Sequence, residues 1–88
     1  MVRYVVAEQL IGKDVITNDG FYLGKFIDAD FNEVTGKLVS LLVDPNMDSS
    51  FVQRLDMKEG KLRLPYEAVI AVNDFIVLDK KQILGKLN

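Results

Sequence analysis

The sequence predicts an all-β fold, a small six-stranded antiparallel β-barrel with one or two short helices. Three observations support this prediction. Apolar residues recur in many short runs, turn signals rich in Asn, Asp and Gly separate these runs, and a single longer segment has the helical spacing of apolar residues. Barrel closure would also remove the exposed edge strands of such a sheet. A chain of 88 residues suffices for one small domain.

The first half of the chain contains the clearest strand and turn signals. A strand is predicted at residues 2–6, and a helical turn follows that ends at Gly12, because glycine is common after a helix C-terminus. The next strands are expected at residues 14–17, 21–32 and 37–44, with turns at residues 18–20 and 33–36. Within the long strand, Gly24 predicts a bulge or bend that curls the sheet, and Tyr22 and Phe26 are expected to share one face. In the following strand, Val39, Leu41 and Val43 are expected to share a face.

The second half combines a helix with short strands. Pro45 ends the preceding strand, and the segment 47–60 predicts a short helix that Asp48 or Ser49 caps and Gly60 ends. A strand at 61–64, a helical turn at 66–69 and a hairpin of strands at 70–72 and 75–79 complete the barrel. The predicted domain comprises residues 1–79, and residues 80–88 are interpreted as a C-terminal tail.

The composition argues against an enzyme. The chain has no His and no Cys, so the commonest general base and the best nucleophile are missing, and it has no phosphate-binding glycine motif. The net charge is −2 and the basic residues are scattered, which makes nucleic acid an unlikely partner. No apolar run approaches the ~20 residues that span a bilayer. We expect a cytoplasmic protein without catalytic residues, cofactors or membrane insertion.

An acidic segment provides the sharpest candidate for a metal site. Asp28, Asp30 and Asn32 match the first three ligand positions of a calcium-binding EF-hand loop. The match fails where such a loop needs Gly and a bidentate Glu, because this chain has Glu33 and Val39 there. Alternating acidic residues are also typical of the solvent-facing side of a strand. The sequence therefore favours a solvated strand face, and no metal site is predicted.

The apolar content is larger than one small barrel interior needs, since 49% of the residues are hydrophobic. Several strands are apolar on both faces, and their second face must be covered by the short helices, a second copy or another protein. The eight aromatic residues are interpreted as core or interface and not as an RNA-stacking platform, because no basic groove accompanies them. We predict a homodimer whose interface includes Tyr4, Val6, Leu38, Leu42, Phe51 and Leu55.

Two stretches together resemble the PRC-barrel family. The first, LIGKDVITNDGFYLGKFIDADFNEVTGKLVSLLV, contains Gly-Lys-x-Val, Asp-Gly-x-x-Leu-Gly-Lys and Thr-Gly-Lys. The second, LRLPYEAVIAVNDFIVL, contains Leu-Pro-aromatic-Glu-x-Val followed by a final strand. Their order and spacing are more specific than any single motif, and they cover most of the chain.

The resemblance implies a six-stranded barrel without catalytic machinery, most similar to the stand-alone archaeal members of the family. Some of those members are adaptors in FtsZ-based cell division that are linked to the membrane anchor SepF. The resemblance therefore suggests a protein–protein adaptor with itself and a SepF-like division protein as partners. The alternative is an accessory protein of RNA processing or ribosome maturation, because the family also includes the C-terminal domain of RimM.

Overall fold

Seven β-strands form a single sheet in the computed structural model, which describes residues 9–85. The strands are β1 (Asp14–Thr17), β2 (Tyr22–Phe31), β3 (Leu38–Pro45), β4 (Met57–Lys58), β5 (Lys61–Pro65), β6 (Val69–Val72) and β7 (Phe75–Leu78). Two short α-helices, α1 (Ser50–Gln53) and α2 (Lys80–Gly85), and a 3₁₀ helix (Tyr66–Ala68) accompany them. Among the described helices, none is long and apolar enough to cross a membrane. The predicted strand at residues 2–6 lies outside the described residues.

The order of the strands corrects the predicted six-stranded closed barrel. The sheet runs β4-β5-β3-β2-β1-β7-β6, so within the described residues it has seven strands and remains open between β4 and β6. The prediction of a wholly antiparallel sheet is also wrong, because β7 pairs with β1 in parallel. Short sequence patterns predict hairpins between neighbouring strands, whereas the β1–β7 pairing joins segments about 60 residues apart, which such patterns do not specify.

The additional strand lies in the segment that was predicted to be helical as far as Gly60. Helix α1 spans only Ser50–Gln53. Ser49 is its N-cap, and the Ser49 Oγ accepts a hydrogen bond from the Val52 N–H at 3.3 Å. Strand β4 follows, and a tight turn joins it to β5. Glu59 and Gly60 in that turn have φ of 54° and 81°. Positive φ at both central residues is the requirement of a type I′ turn, a common two-residue hairpin turn, so Gly60 belongs to the hairpin and not to the helix end.

Gly24 bends β2, as the sequence predicted. The pairing of β1 with β2 skips one residue at this point, because Val15 lies opposite Gly24 and Ile16 lies opposite Tyr22. The resulting bulge changes which residues face inward. Phe26 is buried while Tyr22 is exposed, so the prediction that these two side chains share a face was wrong.

The core lies on one side of the curled sheet. Both α-helices pack there: α1 with Phe51 and Val52, and α2 with Ile83, which is 2% exposed. Residues 80–85, which the sequence assigned to a C-terminal tail, therefore contribute to the core. Its fully buried strand residues are mostly aliphatic: Val15, Leu23, Phe26, Leu41, Val43, Leu62, Leu64, Ile76 and Leu78.

Candidate functional site

A row of apolar side chains crosses the outer face of four strands, on the side opposite the core. Tyr22 on β2 is paired with Ile16 on β1, Ile16 with Val77 on β7, and Val77 with Ala71 on β6. Residues paired in neighbouring strands project to the same face of a sheet. We call these four residues, Tyr22, Ile16, Val77 and Ala71, the outer row. Its width from β2 to β6 is about 14 Å, since it covers three strand spacings of roughly 4.8 Å.

The outer row keeps solvent-accessible surface because no described helix packs on this side of the sheet. Tyr22 is 39% exposed, and the other three residues are half-buried. Phe75 extends the apolar surface from β7 and is 46% exposed. The helices α1 and α2 instead contribute to the core on the opposite face. The outer row is therefore an apolar second face of the kind that the sequence indicated, and within residues 9–85 no helix covers it.

A charged pair borders the outer row. Lys25 Nζ lies 2.7 Å from an Asp14 carboxylate oxygen, and Asp14 is paired with Phe75 across β1 and β7. The hydrogen bond from Lys25 lowers the pKa of Asp14, and the same bond raises the pKa of Lys25. Removal from water is the main cause that raises the pKa of the Tyr22 phenol above its usual 10.0. The row thus ends beside a neutral pair of opposite charges, and all three groups keep their ordinary charge near pH 7.

The six residues predicted to lie in a protein interface occupy different places. Phe51 and Leu55 are 7% and 6% exposed and belong to the core. Leu38 is half-buried and packs against the core. Leu42 is on the outer face, but its strand partners are Asp28 and Arg63, so its immediate surroundings are polar. Tyr4 and Val6 lie outside the described residues, and the participation of these six residues in association stays a prediction.

The acidic segment takes part in hydrogen bonds of the sheet. The Asp28 carboxylate accepts a bond from the Ala29 N–H at 2.8 Å, and the Asp30 carboxylate accepts one from the Ser40 hydroxyl at 3.0 Å. Asn32 accepts bonds from two N–H groups of the β2–β3 turn, those of Val34 and Thr35. Within residues 9–85, no group of three or more acidic side chains is arranged to hold a metal ion.

A cleft of about 890 Å³ opens at one end of the sheet, between β3, the 3₁₀ helix and α2. Its apolar lining includes Val39, which is 53% exposed although the sequence predicted it on the buried face with Leu41 and Val43. Strand β5 pairs with residues 40–43 of β3, so Val39, one residue earlier, has no partner on β5, which explains this exposure. The remaining lining residues are Leu38, Ser40, Arg54, Leu55, Asp56, Arg63, Leu64, Pro65, Tyr66, Glu67 and Ile83.

A third cluster joins the β1–β2 turn to the start of α2. Lys80 Nζ lies 3.1 Å from an Asp19 carboxylate oxygen and 4.0 Å from the centre of the Phe21 ring. The Phe21 and Phe51 ring centres are 5.4 Å apart, and the Asn18 side-chain oxygen accepts a bond from the Lys80 N–H. The residues that the sequence identified only as a turn signal thus also hold the C-terminal helix in place.

Comparison with known proteins shows the family of the chain. The model of the PRC-barrel domain matches residues 5–83, which is most of the chain. The chain belongs to the PRC-barrel family. It is also similar to Uncharacterized protein MJ1118 of Methanocaldococcus jannaschii, with 35% identity over 78 residues, or 88% of this chain and 83% of the relative. This PRC-barrel protein therefore has an archaeal relative of similar length, as the resemblance in its motifs suggested.

Sequence reasoning missed most of the outer row. The sequence did indicate strands with apolar residues on both faces, including that of Val77, but the predicted interface contained none of these four residues. Ile16 and Ala71 join Val77 only through the parallel β1–β7 pairing and the irregular β6–β7 register. Neither the parallel pairing nor the irregular register has a local sequence signal. A strand with apolar residues on both faces does indicate that its second face contacts another surface.

Proposed function

We propose that this PRC-barrel protein is a non-enzymatic adaptor that forms a homodimer through the outer row and binds other proteins, with archaeal cell division of the FtsZ and SepF type as its setting. The outer row carries this proposal, because it is an apolar surface that the described helices leave uncovered. Family membership supports the class of function, and the archaeal relative is consistent with the setting.

A second copy fits this surface because the outer row is free of charge. In a two-fold dimer the same patch meets itself, and like charges at its centre would repel. The four side chains carry no ionic group near pH 7, and the nearby Asp14–Lys25 pair is neutral in sum. Packing two such sheets face to face would bury Ile16 and Val77 at the centre, with Phe75 at the margin.

The size of the row sets the expected strength of the dimer. A stable interface buries roughly 800 Å² on each partner. A strip about 14 Å wide on short strands offers less than this. We therefore expect a weak dimer whose population depends on concentration, which suits an adaptor that must exchange partners.

Co-purification of differently tagged copies tests self-association. A wild-type copy with one tag is expected to co-purify with a wild-type copy that carries the other tag. Co-purification is expected to be lost when both copies carry Val77→Asp, because the carboxylate would be buried in the interface. Val34→Asp is the matched control, since Val34 is 95% exposed in the β2–β3 turn. Retention of the Val77→Asp copy at the wild-type level would contradict the proposed interface.

The adaptor role needs a separate measurement. Tagged wild-type protein is expected to bind a purified archaeal SepF in calorimetric titration, and Val34→Asp is expected to bind it equally. If SepF gives no heat of binding while the two-tag experiment still shows the dimer, self-association stands. The proposed role in cell division is then contradicted.

A further inference from the structure

We infer that the cleft at the end of the sheet is a docking site for an extended peptide segment of a partner protein, one with apolar side chains and a nearby carboxylate. This inference names the partner chemistry for the proposed adaptor function and rests on that function. The cleft lies at the end of β3, whereas the outer row crosses β2, β1, β7 and β6.

The floor of the cleft is apolar. Leu55, Leu64 and Ile83 lie at its base and are themselves packed in the core, with exposures of 6%, 1% and 2%. Val39 and Tyr66 are 53% and 45% exposed and offer accessible apolar surface to an occupant. A volume of about 890 Å³ lies within the range of ligand clefts, ~300–1,000 Å³.

Among the four charged residues of the cleft, two positive and two negative, the guanidinium of Arg54 is available to a carboxylate. Arg63 Nε lies 3.3 Å from an Asp56 carboxylate oxygen, so these two residues neutralise each other. Glu67 has an interaction partner of its own. Arg54, at the end of α1, forms no ion pair with any residue of the described part of the chain. Its guanidinium is exposed and can donate two parallel hydrogen bonds to a carboxylate.

A peptide suits this combination better than a cationic partner does. The exposed side chains of Val39 and Tyr66 would contact alternate side chains of an extended segment, and Arg54 would hold the carboxylate of a nearby Asp or Glu. A tenfold preference for such a carboxylate corresponds to about 1.4 kcal/mol.

An NMR titration of the full-length ¹⁵N-labelled protein tests the inference. The probes are the peptide acetyl-LVLVE-amide and its neutral counterpart acetyl-LVLVQ-amide. The acidic peptide is expected to shift the amide signals of Val39, Arg54 and Tyr66 and to bind about tenfold more tightly than the neutral one. Arg54→Gln is expected to abolish that preference, and Val39→Asp to weaken both peptides. Lys61→Gln, an exposed charge on β5 outside the lining, is expected to bind like wild type.

Four results would overturn the inference. Equal affinity for the two peptides would remove the role of Arg54, and shifts confined to Ile16 and Val77 would place the peptide on the outer row. Equally strong shifts with hexanoate would indicate a small fatty acid as the occupant. Cleft signals that move on dilution without peptide would indicate a second copy. A Val77→Asp protein is expected to bind the acidic peptide normally, so loss of the dimer and loss of peptide binding are separate failures.

Discussion

Gly24 lies where β2 passes closest to β3. Its φ is 146°, and a Cβ at this position would overlap the Asp44 carbonyl oxygen and lie 2.8 Å from Val43 Cγ1. The bulge therefore depends on the absence of a side chain, both for the backbone conformation and for the approach of the neighbouring strand. This residue controls which side chains of β2 face the core.

Gly24→Ala is expected to lower the free energy of unfolding by at least about 2 kcal/mol, because it combines an unfavourable φ with a clash against backbone. Urea denaturation measures this change. Gly20→Ala is the matched control, since Gly20 also has a positive φ, 93°, but a Cβ there meets nothing within 4 Å. Its cost is expected to be about 1–2 kcal/mol, from the backbone alone. Equal costs for the two variants would show that β3 does not approach Gly24 as described.

Two neighbours, Thr17 and Lys80, lower the pKa of the Asp19 carboxyl group. The hydrogen bond from the Thr17 hydroxyl is the main cause that lowers the pKa of Asp19, and the hydrogen bond and charge of Lys80 add to it. A carboxyl whose pKa is lower in the folded protein stabilises the fold above its unfolded pKa. This contribution is complete above pH 3.8 and is lost as the pH falls through the lower folded value.

Asp19→Asn is therefore expected to reduce stability near pH 7 and to flatten the loss of stability below pH 3.8. Thermal unfolding at a series of pH values is the measurement. Asp74→Asn, in the exposed β6–β7 turn, is the matched control for the removal of one carboxylate. A variant Asp19→Asn with the full acid dependence of wild type would show that this carboxylate is not held by Thr17 and Lys80.

Helix α2 is held to the sheet by Lys80, its first residue, and by the buried side chain of Ile83. Ile83 packs in the core, while Lys80 contacts Asp19 and the Phe21 and Phe51 rings. The helix spans only six residues, which is too short to be stable in isolation. These contacts, and not its helix propensity, explain why residues 80–85 are ordered on the barrel.

Lys80→Ala is expected to cost about 0.5–1 kcal/mol in the free energy of unfolding, through loss of the cation–π contacts and a partly screened ion pair. Lys81→Ala is the control, because it makes the same change one residue later on an exposed position and gains the same helix propensity. Chemical denaturation of both variants gives the comparison. A Lys80→Ala protein as stable as Lys81→Ala would mean that the cluster does not hold α2.

Sequence patterns predicted the elements that depend on neighbouring residues. The turn at residues 18–20, the bend at Gly24 and the cap at Ser49 each have a local physical requirement that the residue type reveals. The length of α1 was overestimated, because the helical spacing of Phe51 and Leu55 was extended to Gly60, whereas Met57–Lys58 forms β4 through pairing with β5. Here a contact between strands overrides the local pattern.

The arrangement of the whole molecule depends on pairings that no short pattern contains. The parallel β1–β7 pair brings Ile16 beside Val77 and so creates the outer row, and the end of β5 at Pro65 leaves Val39 exposed beside the cleft. The sequence indicated surplus apolar residues, but it could not show which would be covered. Phe51 and Leu55 are covered by the chain's own core, whereas Val77 and Phe75 keep exposed surface.

Across the whole molecule, the two candidate surfaces have different chemistry and different positions. The outer row is apolar and charge-free, which suits a second copy, and the cleft combines an apolar floor with Arg54, which suits an acidic peptide. An adaptor needs such separation, because one surface must assemble the protein while another remains available to a partner.

Sedimentation equilibrium over a range of micromolar concentrations tests the central claim most directly. We expect wild-type protein and Val34→Asp to shift from monomer to dimer as the concentration rises, and Val77→Asp to remain a monomer with unchanged circular dichroism. Either a wild-type protein that is monomeric throughout this range or a Val77→Asp variant that dimerises like wild type would contradict the assignment of the outer row as the dimer interface.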